Sequence, residues 1–168
     1  MPQPCWRGFI RLSLISCPVH LSFATKESTL SEDERKAFEV MSSNVIDLAR
    51  FVDRTEIDPV YLNTLYYVYP DGELAAEPFR VIAEQMKSKG LAGIARVTFF
   101  NTERLLMFEP RGNGMVMYTL RRPDEIHATE SDAKHPEDVD PEMLDIAEVV
   151  VERRRGAFDP ASLLSEKG

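Results

Sequence analysis

The chain has 168 residues, 43% of them hydrophobic and 29% charged, and a formal net charge of −8. That size and mix suit a globular domain with a real core, and no apolar run is long enough for a bilayer-spanning helix. No charged leader with an apolar stretch and cleavage site opens the chain, and Cys5 and Cys17 are too few for a disulfide framework. A cytoplasmic protein with reduced thiols is therefore expected.

Trp6, Ile10, Leu12 and Leu14 alternate with Arg7, Phe9, Arg11 and Ser13, a period of two that reads as a half-buried strand. Pro18 is expected to interrupt it before Val19 to Phe23 resumes extended structure. Ser31 and Glu34 have capping-box spacing, which predicts a short helix through about Val40. Asn44 to Val52 reads as a strand. Asp58-Pro59 signals a turn, and Tyr61 to Tyr69 is aromatic-rich and strand-like. Residues 76–89 predict an amphipathic helix with Phe79, Ile82, Ala83 and Met86 on one face, Pro78 in its first turn and Gly90 as its stop.

Three further strands follow: Ala92 to Asn101, Arg104 to Glu109 and Met115 to Arg121. The turns at Asn101–Glu103 and Gly112–Gly114 make them an antiparallel meander. Residues 124–139 read as an exposed acidic linker. Asp140 caps a last helix, Glu142 to Arg155, with Leu144, Ala147, Val150 and Val151 as its apolar stripe, and a tail ends the chain. Strands outnumber helices, so the fold class is mixed and mainly β: a barrel or strongly curved sheet with helices on its flank. The expected division is a core over 1–123, a linker over 124–139, and a helix and tail over 140–168.

The acidity is regional. Residues 91–123 carry five arginines against Glu103 and Glu109, a net of +3, whereas 124–152 hold eleven acids against Lys134, a net of −10. The remainder of the chain is thus at +2, and a basic face can coexist with an acidic total.

Catalytic and metal constellations are lacking. There is no G-x-S-x-G, H-E-x-x-H or P-loop pattern. Cys5, Cys17 and His20 form the one conceivable ligand group, in C-x11-C-x2-H spacing without an obvious fourth member, so no metal and no cofactor are expected. His127 and His135 lie in the acidic linker, where solvated histidines are ordinary.

The arginines are the better lead. Arg7 and Arg11 share one face of the first strand, Arg96 lies on another strand, Arg111 stands at a glycine-flanked turn, and Arg121-Arg122 close the last strand. A row of guanidiniums on a curved sheet would grip phosphates through charge-assisted bonds without reading bases. The same arginines would equally serve to solubilise the sheet and pair with nearby acids.

Five segments resemble the bacterial Ku proteins: WRGFIRLSLISCPVHL (Trp6 to Leu21), RFVDRTEIDPVY (Arg50 to Tyr61), YYVYPDG (Tyr66 to Gly72), GIARVTF (Gly93 to Phe99) and PRGNGMVMYTLR (Pro110 to Arg121), with FDPAS (Phe158 to Ser162) closing the series. They occur in family order over nearly the whole chain. The resemblance implies an antiparallel β-barrel and a homodimer that forms a ring. It also implies sequence-independent binding of double-stranded DNA ends in non-homologous end joining, and recruitment of an ATP-dependent DNA ligase. It makes Arg7, Arg11, Arg96, Arg111, Arg121 and Arg122 the candidate phosphate contacts.

One departure from the family pattern is large. After Ala24-Thr25 the family carries a long basic segment that adds strands and a bridge closing the ring, and here Thr25 runs almost directly into Ser31 to Phe38. A lysine-rich C-terminal extension is also short. A reduced barrel with exposed edges and weaker DNA grip is the expectation. Two alternatives to a DNA-end binder follow: an interaction module that keeps dimer and ligase surfaces but has lost DNA, and, with no constellation to support it, an enzyme.

Overall fold

A computed structural model describes residues 4–25, 43–99, 102–127 and 138–164. The helix expected over 31–40 and most of the acidic linker lie outside the described residues. The chain divides into two compact units, Met1–His127 and Ala128–Gly168.

The first unit is a seven-stranded closed barrel of β1 (Pro4–Leu12), β2 (Ile15–Phe23), β3 (Val45–Asp53), β4 (Leu62–Pro70), β5 (Leu91–Phe99), β6 (Thr102–Arg111) and β7 (Gly114–Leu120). Around the barrel the order is β1-β2-β4-β7-β6-β5-β3. The β5–β6–β7 meander is antiparallel as its turns predict. The first strand is shorter than the alternation suggests: Ser13 and Leu14 form a two-residue turn, with Ser13 at φ 55°. Pro18 sits inside β2 rather than breaking it. Its fixed φ is compatible with extended backbone, and its carbonyl accepts from the Asp71 N–H at 2.9 Å.

Period-two alternation fills the barrel. Trp6 and Ile10 from β1, Val19 and Leu21 from β2, Ile46 from β3, Tyr66 from β4, Phe108 from β6 and Met117 from β7 are buried in one cluster. The helix α1 (Ala76–Lys89) adds Phe79, Ile82 and Met86 to that cluster, so its apolar face seals the core. Each of those side chains contributes about 1.5–3 kcal/mol by leaving water. Gly90 ends α1 in the left-handed region at φ 66°, its N–H returning to the Lys87 carbonyl.

A second apolar cluster lies on the outside of the wall. Ala92, Met107 and Leu120 point away from the core and are covered by Ile57 and Tyr61 of the β3–β4 connection and by Leu62 at the start of β4. Part of the barrel's exterior is thereby buried by its own chain.

Two sequence expectations change. The barrel is not wholly antiparallel, because β3 joins β1 in parallel, pairing Phe9 with Val45, Ile10 with Ile46 and Arg11 with Asp47. Nor does the shortened chain leave open edges: that parallel seam closes the ring of strands. The physical reason is local. Gly8 lies against the Asn44 carbonyl and the Trp6 ring, where a Cβ would overlap both, so its missing side chain lets the two strands approach. The Phe9 N–H then donates to the Asn44 carbonyl at 2.8 Å.

In the second unit, α2 (Pro141–Arg154) starts at Asp140, whose carboxylate accepts from the Glu142 N–H at 3.0 Å. Met143, Leu144, Ile146, Val149, Val150 and Val151 are exposed on it. A single further turn, α3 (Pro160–Leu163), stands where a tail without structure is expected.

Candidate nucleic-acid interface

Strand alternation turns Arg7 and Arg11 outward from β1, but each meets its own acid. Arg7 donates to both oxygens of Asp71, at 3.1 and 2.9 Å. Arg11 forms a fork on Asp47 across the parallel seam, Nε at 2.6 Å and Nη2 at 3.0 Å. That hydrogen bond, and the charge of Asp47 after it, raise the Arg11 guanidinium further above its ordinary pKa, so it is a permanent cation.

A second group forms where β5, β6 and the exit of β7 meet. Arg96 stands 3.9 Å from Glu103, a loose ion pair. Arg122 lies 3.3 Å from Asp124 and donates to the Glu103 carbonyl, while its backbone N–H donates to Glu125 at 2.7 Å. Arg104, not singled out from the sequence, completes this group through Glu125 at 3.3 Å.

Arg111 lies elsewhere. Its Nη2 donates to the Tyr118 hydroxyl at 3.0 Å and stands 3.5 Å from Glu109. The same carboxylate, mostly buried, also accepts from Arg54. One acid therefore serves two guanidiniums, and the spot keeps net positive charge. Arg121 is different in kind: its guanidinium donates to the backbone carbonyls of Val60 and Leu62, and its backbone N–H to Tyr61. It pins the connection that covers the second apolar cluster.

The six arginines named from the sequence thus fall into separate places. Arg96 and Arg122 are together, Arg7 and Arg11 share a strand face, Arg111 stands with Arg54, and Arg121 is tied to backbone. Among the described residues they do not line one continuous row. Arg54, Arg104 and Tyr118 were missed. The aromatic run Tyr66–Tyr69 carried a usable signal, since alternation sends Tyr67 and Tyr69 outward when Tyr66 and Val68 are in the core.

The C-x11-C-x2-H group does not assemble. Cys17 is buried on the inner face of β2, its thiol donating to the Ala75 carbonyl at 3.5 Å, and His20 is on the outer face of the same strand. Burial pushes the Cys17 thiol up to about 11. Among the described residues no helix is long and apolar enough to cross a membrane.

A closed β-barrel sealed by one helix, with an arginine-rich outer wall, defines a scaffold class whose charge is displayed on a rigid curved surface. The chain belongs to the Ku family: the profile of the Ku70/Ku80 beta-barrel domain matches residues 29–146. Among similar proteins named "Non-homologous end joining protein Ku", that of Bradyrhizobium sp. is 28% identical, aligned over 95% of this chain and 71% of its own length. That of Allorhizobium ampelinum is also 28% identical, over 74% of this chain and 62% of its own. That of Acidobacterium capsulatum is 35% identical over 71% of this chain and 41% of its own length. The chain therefore spans only part of these relatives. The Bradyrhizobium alignment covers 209 positions against a chain of 168 residues, so it contains gaps on this side. The SPOC domain of human PHD-finger protein 3 shares the fold, with a TM-score of 0.53 at 11% identity over 71% of this chain and 97% of that one.

Proposed function

We propose that this protein binds the ends of double-stranded DNA without reading their sequence, as a homodimer acting in non-homologous end joining, and that it recruits an ATP-dependent DNA ligase. Family membership and the name carried by its relatives support the setting. The observation that carries the reading is the state of the arginines: Arg7, Arg96 and Arg111 have side chains 61%, 66% and 50% exposed on a closed barrel wall. Asp71 and Glu103 hold Arg7 and Arg96 through surface pairs worth about 0–1 kcal/mol, and Arg111 has only a share of Glu109. Phosphate is a competitive partner at that level, because each contact also releases condensed counterions. Arg11 and Arg122 belong to the same set, and Arg121 joins it only if it leaves the Val60 and Leu62 carbonyls.

The test is a salt-titrated binding curve on a short blunt duplex, beside a closed minicircle of the same sequence. Tight binding to the linear duplex alone is expected. Charge reversal of Arg96 and Arg111 should lower the slope of log K against log salt by about 0.9 for each phosphate lost. Equal affinity for circle and linear duplex would sink end recognition.

A second reading is favoured by α2, which exposes Met143, Ile146 and Val150 on a helix whose own unit buries none of its residues. In that reading the chain is an interaction module that keeps the dimer or ligase contacts and has lost DNA. Capture of the ligase together with no DNA shift at low salt would select it.

A further inference from the structure

A groove of about 560 Å³ opens where the first turns of α1 meet β4 and β7, lined by Tyr67, Tyr69, Phe79, Arg80, Arg111 and Asn113 among others. Its volume is that of a small-ligand site. The groove continues a row on the outer wall. Arg7 stands opposite His20 in register, and His20 opposite Tyr69. The His20 and Tyr69 rings are 5.2 Å apart at 30°, and Tyr69 meets Tyr67 edge-on at 6.4 Å. Beyond Tyr67 the ladder reaches Val116 and then Glu109, the carboxylate shared by Arg111 and Arg54.

Two guanidiniums beside this row have no carboxylate to themselves. Arg80 is exposed on α1 and makes no hydrogen bond or ion pair with any described residue, although Glu77 and Glu84 lie one turn away on the same helix. Arg111 has half of one carboxylate. A strip of aromatic rings bordered by guanidiniums without a carboxylate of their own suits a chain of flat, apolar groups joined by anions. Unpaired bases stack on rings at little cost in sequence preference, while arginine holds the intervening phosphates. A peptide strand has less to offer here, because the closed barrel presents no free edge to extend.

We propose that the Tyr67–Arg80–Arg111 groove is a subsite for single-stranded DNA, namely the unpaired overhang of a broken end. The assignment rests on the DNA-end reading for its context but uses residues outside the duplex contacts, Arg111 excepted. It predicts that a duplex with a thymidine tail binds about tenfold more tightly than the blunt duplex, the worth of roughly one stacked base and its phosphate.

Fluorescence anisotropy on three labelled probes tests it: a blunt hairpin duplex, the same duplex with a single-stranded thymidine tail, and a free thymidine oligonucleotide. Arg80→Gln and Tyr67→Thr should each abolish the advantage of the tail and leave blunt-duplex affinity unchanged. Arg80 is exposed and outside the core, so R80Q keeps the test valid if Y67T folds poorly. A tail that adds nothing in the unaltered protein overturns the proposal, as does an equal loss on blunt and tailed probes in R80Q. So does an acidic, tyrosine-bearing peptide that binds in an Arg80-dependent way while the oligonucleotide does not. Oligonucleotide binding that needs Arg80, alongside no blunt-duplex binding, would leave the groove standing and remove the duplex-end reading.

Discussion

The Arg121 guanidinium donates to the Val60 and Leu62 carbonyls and so fastens the β3–β4 connection over Met107 and Leu120. Arg96, two-thirds exposed, holds only a loose pair with Glu103. Arg121→Ala should therefore cost about 1–3 kcal/mol, through unsatisfied carbonyls and a loosened cover, whereas Arg96→Ala should stay within about 0.5 kcal/mol. Urea unfolding of the two variants checks the contrast, and equal losses would show that Arg121 is no pin. Both residues look alike in the sequence, as arginines near a strand end or on its polar face. What separates them is whether a distant backbone segment arrives beside them, and that depends on tertiary structure. Cys17 gives a pH-dependent case. Its thiol is moved by burial from 9.0 to about 11, so the folded state favours the protonated form. That contribution to stability is whole below pH 9 and is lost as pH rises through about 11. Cys17→Ser should flatten this alkaline decline in melting temperature; an unchanged decline would assign it to other groups.

The elements show which patterns decide a fold locally. The alternation around Trp6 and Ile10 and the 3.6-residue stripe of Phe79, Ile82 and Met86 were readable because each side chain's environment follows from its own strand or helix. The helix stop at Gly90 was readable for the same reason. The parallel alignment of β3 on β1 was not, since no local pattern encodes which strand lies next to which. Gly8 is the element-scale hinge of that arrangement. A methyl group there would overlap the Asn44 carbonyl and the Trp6 ring. Gly8→Ala should destabilise the barrel by several kcal/mol, on the order of overpacking at its severe end. Gly114→Ala, with only the Arg111 carbonyl 3.8 Å away, should not overpack its site. Thermal melts of the two variants decide it, and a G8A barrel as stable as the parent would mean the seam tolerates wider spacing.

At the scale of the molecule, the family and the mainly β class were legible because several modest motifs occur in order along the chain. The grouping of the arginines was not. Which of them are neighbours depends on the strand order β1-β2-β4-β7-β6-β5-β3, so residues far apart in sequence, such as Arg54 and Arg111, meet on one acid while Arg111 and Arg121 part. The seam that closes the barrel has a mechanical consequence. It runs only from Phe9 to Arg11 against Val45 to Asp47, whereas β1 and β2 are joined from Pro4–Ser22 to Leu12–Ile15. A short parallel ladder is the weakest stave joint of the cask. Under mild urea, amides that bond across it should exchange with deuterium before those of β6 and β7, so the cylinder would first spring open into a curled sheet there, with every other joint still fastened.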